Sequence, residues 1–281
     1  MRCAWDAYIN LLPHWMRETV DKQGRDNLQE LRLRIDIPPE MITANGSIWL
    51  SREVRSDDIQ FCINSASRYS PWTTATSAQG YITAEGGHRI GVCGDAVVSD
   101  GVMSGIRTPL MLCLRVARDY PGIAGNLAQT KRSVLIIGRP GSGKTTLLRD
   151  LIRSYSNSGT CVAVVDERGE LFPIVRGTSC FPRGNRTDVL TGCSKNQGID
   201  AVLRCMNPGI IAVDEITAEK DCCSLIHAGW CGVQLLATAH AGSIEELYTR
   251  PVYKSIINSK LFDTLLVLQA DKSWTMERMR K

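Results

Sequence analysis

The sequence predicts an α/β protein: a doubly wound, mostly parallel sheet behind a phosphate-binding loop, preceded by a smaller mixed α and β module. Three observations carry this. The octapeptide Gly138-Arg139-Pro140-Gly141-Ser142-Gly143-Lys144-Thr145 matches G-x-x-x-x-G-K-[ST]. It lies between a short apolar run at 133–137 and an amphipathic helical pattern at 145–154, the strand–turn–helix order the motif requires. Further apolar runs at 161–166, 210–214, 233–239 and 261–268 are separated by helical patterns, as expected of parallel strands buried on both faces.

The elements before the loop read less uniformly. Residues 1–25 predict one or two short helices, with Pro13 starting the second or breaking the first. Leu31, Leu33 and Ile35 alternate with Arg32, Arg34 and Asp36, the signature of a half-buried strand that Pro38-Pro39 should end. Asn45-Gly46 marks a tight turn into a strand at 47–50. Ile59, Cys62, Ile63 and Ala66 have helical spacing behind a Ser56 or Asp57 cap. Short β segments at 80–98 turn at Glu85-Gly86-Gly87, and 110–117 is another strand. His88, beside that turn, reads as a surface or locally hydrogen-bonded group. Arg107, Arg115 and Arg118 read by themselves as a solvated basic edge. The domains are therefore expected at 1–120 and 132–281, joined by a linker at 121–131.

Composition narrows the class. With 43% hydrophobic and 22% charged residues in 281, the chain reads as globular and soluble. A net charge of +4, with no basic stretch interleaved with aromatics, argues against nucleic acid and gives no mandate for a membrane surface. The eleven cysteines contain no Cys-x-x-Cys pair and are odd in number, so reduced thiols in a reducing cytoplasm are expected rather than zinc or disulfides. The N-terminus carries acids and no sustained apolar segment, unlike a signal peptide, and no run approaches a membrane span of about 18 residues.

The chemistry expected of the loop is specific. Glycines let backbone N–H groups from Gly138 to Thr146 converge on an anion at a helix N-terminus; Lys144 reaches the β- and γ-phosphates of ATP, and Thr145 takes a place on Mg²⁺. The run at 210–214 ends in Asp214-Glu215, a Walker B form: Asp214 serves the metal, directly or through water, and Glu215 orients or activates water. The strand before Asp166-Glu167-Arg168-Gly169-Glu170 offers Glu167 as a second candidate base, and spacing does not choose between them; Glu170 reads as a surface acid. His240, in Thr238-Ala239-His240, is placed to sense the γ-phosphate. The polar segment 176–196 reads as a functional loop, with Arg183 and Arg186 either solvated or neutralising phosphoryl charge, in this chain or a neighbouring subunit.

The motifs VLIIGRPGSGKTTLLRDLIR, VAVVDERGE, RTDVLTGCSKNQGI, IIAVDEI and LLATAHAGS, with GGHRIGVCGDAVV upstream, resemble the stage III sporulation protein AA family of endospore-forming bacteria from about residue 25 onward. That family is similar to the ATPases of type II and type IV secretion and pilus assembly. The resemblance implies a small mixed N-terminal domain, a RecA-like ATPase domain and a homo-oligomeric, commonly hexameric, ring. It places VDERGE in the acidic box, with Glu167 and Glu170 near the attacking water or metal, and His240 in the histidine box; VDER departs from the usual longer acidic form, which leaves the base open. It also implies that N-terminal-domain arginines, here Arg107, Arg115 and Arg118, reach nucleotide across a domain or subunit junction. The implied biology is ATP hydrolysis in the mother-cell cytoplasm, driving or assembling a channel of membrane-embedded sporulation proteins into the forespore. The alternative is a nucleotide-gated scaffold with negligible turnover.

Overall fold

The computed structural model describes residues 1–67, 80–125, 127 and 132–279. They form two units, Met1–Asp119 with Pro173–Phe181, and Tyr120–Phe172 with Pro182–Lys281.

In the first unit the strands are β1 (Leu28–Arg34), β2 (Ile37–Thr43), β3 (Gly46–Trp49), β4 (Tyr81–Thr83), β5 (Arg89–Ser99) and β6 (Val102–Arg115). They make an antiparallel sheet in the order β3-β2-β1-β6-β5-β4. The alternation in β1 turns Leu31 and Leu33 into a core shared with Tyr8, Leu12 and Met16 of the N-terminal helices Trp5–Asn10 and His14–Asn27, and with Ile59 and Cys62 of helix Ser56–Ser67. Each fully buried aliphatic side chain contributes about 1.5–3 kcal/mol. Pro13 caps the second helix rather than breaking the first. Pro38-Pro39 does not end the strand. Both prolines lie inside β2, where the register between β1 and β2 shifts from Arg32 to Arg34, so the missing N–H groups fall at an irregularity of the ladder.

His88 is not at the surface. It is fully buried, with Nε2 2.9 Å from the Ala4 carbonyl and Nδ1 accepting from Ala117 N–H at 3.1 Å. Because Nδ1 accepts, the proton sits on Nε2 and is donated to Ala4. Burial pulls the imidazole pKa down to about 4.

In the second unit β7 (Val134–Gly138), β8 (Val162–Asp166), β11 (Thr187–Thr191), β12 (Ile210–Ile216), β13 (Gln234–Ala239), β14 (Thr264–Leu268) and β15 (Trp274–Arg278) form one sheet. Its order is β11-β8-β12-β13-β7-β14-β15, parallel except for β15. Every residue of β7, β8 and β14 is buried, which explains the unbroken apolar runs. The helices Lys144–Asn157, Lys195–Cys205 and Glu219–Trp230 connect the strands. With the strands parallel, Gly138, Asp166, Asp214-Glu215 and Ala239 all reach the carboxyl edge, where ligands bind in sheets of this kind.

Two features depart from the expected organisation. The hairpin β9 (Ile174–Val175) and β10 (Thr178–Ser179) clusters with the first unit, although 132–281 was expected to be one domain. Of the expected linker 121–131, residues 126 and 128–131 lie outside the described residues. Gly122 and Ala124 give their N–H groups to the buried Asp150 carboxylate at 2.9 and 2.8 Å, which fastens the start of that stretch to the phosphate-loop helix. Among the described residues no helix is long and apolar enough to cross a membrane.

Candidate nucleotide-binding site

The phosphate loop has the backbone its sequence demands. Gly141 and Gly143 adopt φ of 78° and 99°, a region that strains any residue with a Cβ. At Gly138 the constraint is packing, since a Cβ would stand 2.5 Å from Ser142 Oγ and 3.0 Å from the Leu268 carbonyl. Helix Lys144–Asn157 starts directly after Gly143 with no side chain capping it, so the N–H groups of its first turn point into the loop. Ser142 Oγ is buried there and has no hydrogen-bond partner among the described residues. An orphaned hydroxyl, an uncapped helix start and a lysine together fit a phosphate chain. Arg139 and Pro140 form the exposed tip, and Thr146 occupies the first turn.

Lys144 donates to the carbonyls of Gly138 at 2.9 Å and Arg139 at 3.0 Å, and its Nζ is 3.2 Å from His240 Nδ1. Its pKa is lowered by burial, against the attraction of Asp214 and Glu215. An ammonium has only protons to offer, so Nδ1 of His240 is the acceptor and Nε2 carries the ring proton. Nε2 lies 3.0 Å from Glu215 Oε1, and Arg168 Nη1 donates to Glu215 Oε2 at 3.0 Å. Lys144, His240, Glu215 and Arg168 thus form one continuous chain of hydrogen bonds.

Beside it, Thr145 Oγ1 donates to Asp214 Oδ2 at 2.7 Å, and Thr238 Oγ1 donates to Asp214 Oδ1 at 2.5 Å. Thr238 Oγ1 also accepts Glu215 N–H at 2.7 Å. Glu215 takes φ 54° at a break in the β12–β13 register, so the backbone turns there and Asp214 and Glu215 find different partners. Burial raises the Asp214 pKa, with the two hydroxyl donors pulling it back. A hydroxyl and a carboxylate are oxygen ligands suited to Mg²⁺. Among the described residues no group of three or more His, Cys, Asp or Glu is gathered to hold a metal ion.

The end of β8 behaves differently. Asp166 is buried and accepts the N–H groups of Glu170, Leu171 and Phe172 at 2.9, 3.0 and 2.9 Å. Burial raises its pKa to about 6 despite these bonds. Glu167 is paired with Lys195, Nζ to Oε2 at 2.5 Å. Asp166, Glu167, Arg168, Glu170, Lys195, Asp214 and Glu215 line one cleft, in which Glu170 is half-buried.

The arginines do not gather here. Arg186 donates to the Gly159 carbonyl at 3.0 Å, and its own carbonyl accepts from Val162 N–H at 2.9 Å. Arg186 and Arg183 therefore precede β11 at the amino edge of the sheet, opposite this chain's own phosphate loop, and neither serves it in cis. Within the first unit Arg118 donates to the carbonyls of Arg25 and Leu28, Arg115 lies 3.6 Å from Glu30, and Arg107 is exposed on β6. Residues given no role from sequence complete the site: Arg168, Lys195 and Tyr253. The buried Tyr253 hydroxyl accepts His240 N–H at 3.1 Å and donates to the Ile216 carbonyl at 3.3 Å. Only Lys195, a cation at a helix start, breaks a sequence rule that could have drawn notice.

Fold and site together define a phosphate-loop protein with a RecA-like domain and a smaller mixed α+β N-terminal domain. The fold is that of secretion and pilus ATPases. The Legionella pneumophila ATPase DotB superposes with a TM-score of 0.59 at 17% identity, covering 95% of this chain and 80% of that one. The pilus retraction motor PilT, solved with bound ADP, gives 0.59 at 13% identity over 94% of this chain and 83% of that one. The chain belongs to the sporulation stage III protein AA family, whose model matches residues 6–277. Stage III sporulation protein AA of Bacillus subtilis (strain 168) is 34% identical over 276 residues, 93% of this chain and 90% of that protein.

Proposed function

We propose that the protein is an ATPase that binds Mg-ATP through Gly138 to Thr146 and hydrolyses it to drive or assemble a mother-cell-to-forespore sporulation channel. The observation that carries this reading is the pair of adjoining networks: Thr145 bonded to Asp214, and Lys144 linked through His240 to Glu215. Lys144 and the loop N–H groups bind the β- and γ-phosphates. Thr145 and Asp214 hold Mg²⁺, directly or through water, and the ion supplies positive charge to the phosphate oxygens. Glu215 orients water and accepts its proton, while His240 couples that carboxylate to the lysine that touches phosphate. Glu167, paired with Lys195 and outside that chain of hydrogen bonds, is the alternative base.

In the same reading the protein works as a homo-oligomeric ring, commonly six copies in the resembling ATPases, in the mother-cell cytoplasm against membrane proteins of the channel. An arginine supplied across the junction is drawn from Arg107, Arg115, Arg118, Arg183 and Arg186, with exposed Arg107 and Arg183 best suited. A second reading, a nucleotide-gated scaffold, draws support from Glu215 itself, since both its carboxylate oxygens are engaged, by His240 and Arg168. The deciding experiment is Mg-dependent ATP turnover of the assembled protein with Lys144→Ala and Glu215→Gln. Turnover lost in both supports the enzyme; absent turnover in the unaltered protein, with intact nucleotide binding, leaves the scaffold.

A further inference from the structure

Lys195 stands where a lysine is unfavourable twice over. It is 3% exposed, and burying an ammonium costs several kcal/mol unless it is well paired. It is also the first residue of helix Lys195–Cys205, where the helix dipole disfavours a cation. Its position is set by Gly198 one turn on, because a Cβ there would meet Val165 Cγ1 of β8 at 2.4 Å. The glycine lets the helix start settle against β8 and delivers the ammonium to Glu167, with Nζ 2.5 Å from Oε2. The cleft they share carries five carboxylates, those of Asp166, Glu167, Glu170, Asp214 and Glu215, against Arg168 and Lys195.

We propose that Lys195 is a positioning residue of the nucleotide site, holding the half-exposed Glu167 in an ion pair so that Glu167 does not compete with Glu215 for Arg168. This rests on the ATPase reading above. Without Lys195, Glu167 becomes an unpaired carboxylate beside Arg168, the residue that donates to Glu215, and it competes for that guanidinium. The defect of losing Lys195 is therefore caused by Glu167 and disappears when Glu167 is made neutral.

The test is a double-mutant cycle on the full chain, with Lys195→Met and Glu167→Gln singly and together, read in ATP turnover, affinity for Mg-ATPγS and urea midpoint. Lys195→Met is expected to lower kcat by about 10- to 100-fold. The double variant is expected to recover at least about fivefold over Lys195→Met. A double variant as slow as Lys195→Met, a Lys195→Met enzyme of normal kcat, or coupling confined to the urea midpoint overturns the proposal. If the unaltered protein shows no turnover, the ATPase reading has failed and the cycle is read in Mg-ATPγS affinity, where coupling of the two sites supports Lys195 and additivity overturns it. Should Lys195→Met not fold, Lys195→Gln with Glu167→Gln supplies an uncharged hydrogen-bonded pair. Turnover or affinity near that of Glu167→Gln supports the proposal, and failure to reach it overturns it.

Discussion

Strands β8 and β12 are neighbours in the sheet and carry the same tripeptide at their carboxyl edge, Val165-Asp166-Glu167 and Val213-Asp214-Glu215, with Val165 and Val213 in register. The two ends nevertheless do different things. Asp166 turns into the protein and accepts three backbone N–H groups of the following loop, whereas Asp214 receives the hydroxyls of Thr145 and Thr238. Glu167 meets a buried lysine; Glu215, twisted to φ 54°, meets His240 and Arg168. Identical residues following a registered pair of valines are thus sorted by their neighbours. The strand beside the phosphate loop, β13, supplies Thr238 and leads into His240, and it lies next to β12 and not β8.

The largest expected effect tests that division directly. Glu215→Gln should lower kcat by about 10²- to 10⁴-fold, while Glu167→Gln should cost little; steady-state hydrolysis reads both, and equal losses would erase the distinction between the strand ends. Next, Asp214→Asn should weaken Mg-dependent nucleotide binding on the order of 10- to 100-fold with folding nearly intact, whereas Asp166→Asn should leave Mg dependence alone. Titration of a fluorescent ATP analogue with Mg²⁺ separates the two.

A third test contrasts buried titratable groups of the two units, because His88 and Asp166 carry opposite pH signatures. The His88 pKa falls from 6.5 to about 4, so the unfolded chain takes the proton first and the first unit loses stability as pH drops from 6.5 to 4. The loss is on the order of 3 kcal/mol. The Asp166 pKa rises from 3.8 to about 6, so its favourable contribution is present below 3.8 and disappears as pH rises through 6. Hydrogen exchange at pH 4.5 and 7 should show protection near Ala4 and Ala117 weakening in acid while that of residues 170–172 does not; parallel behaviour would contradict the assignment. The smallest effect belongs to Tyr253→Phe, which removes the acceptor of His240 N–H at a cost of about 1 kcal/mol. A few-fold fall in kcat, with unchanged nucleotide affinity, is the expected result, and no change would mean that the backbone of His240 needs no support.

Much of this was legible in the chain. The glycines of the loop, Lys144, Thr145 and the apolar runs ending in acids follow from local rules: the motif fixes the turn, and burial on both faces removes polar residues from the strands. Legibility failed where burial is partial. β11 is an edge strand with only Thr187 buried, and every residue of β15 is exposed, so neither shows an apolar period. His88 looked superficial because a turn precedes it, yet its bonds run to Ala4 and Ala117, which no local pattern reports.

The sequence by itself determined the phosphate loop, the parallel α/β architecture and the acids at the strand ends, because each depends on residues adjacent in the chain. Only the tertiary structure decided which acid meets which partner. Lys195 lies 28 residues from Glu167, and Arg168 lies 47 from Glu215. Such pairings are set by strand order and by close approaches such as that of Gly198 to Val165, and side-chain identity alone does not encode them.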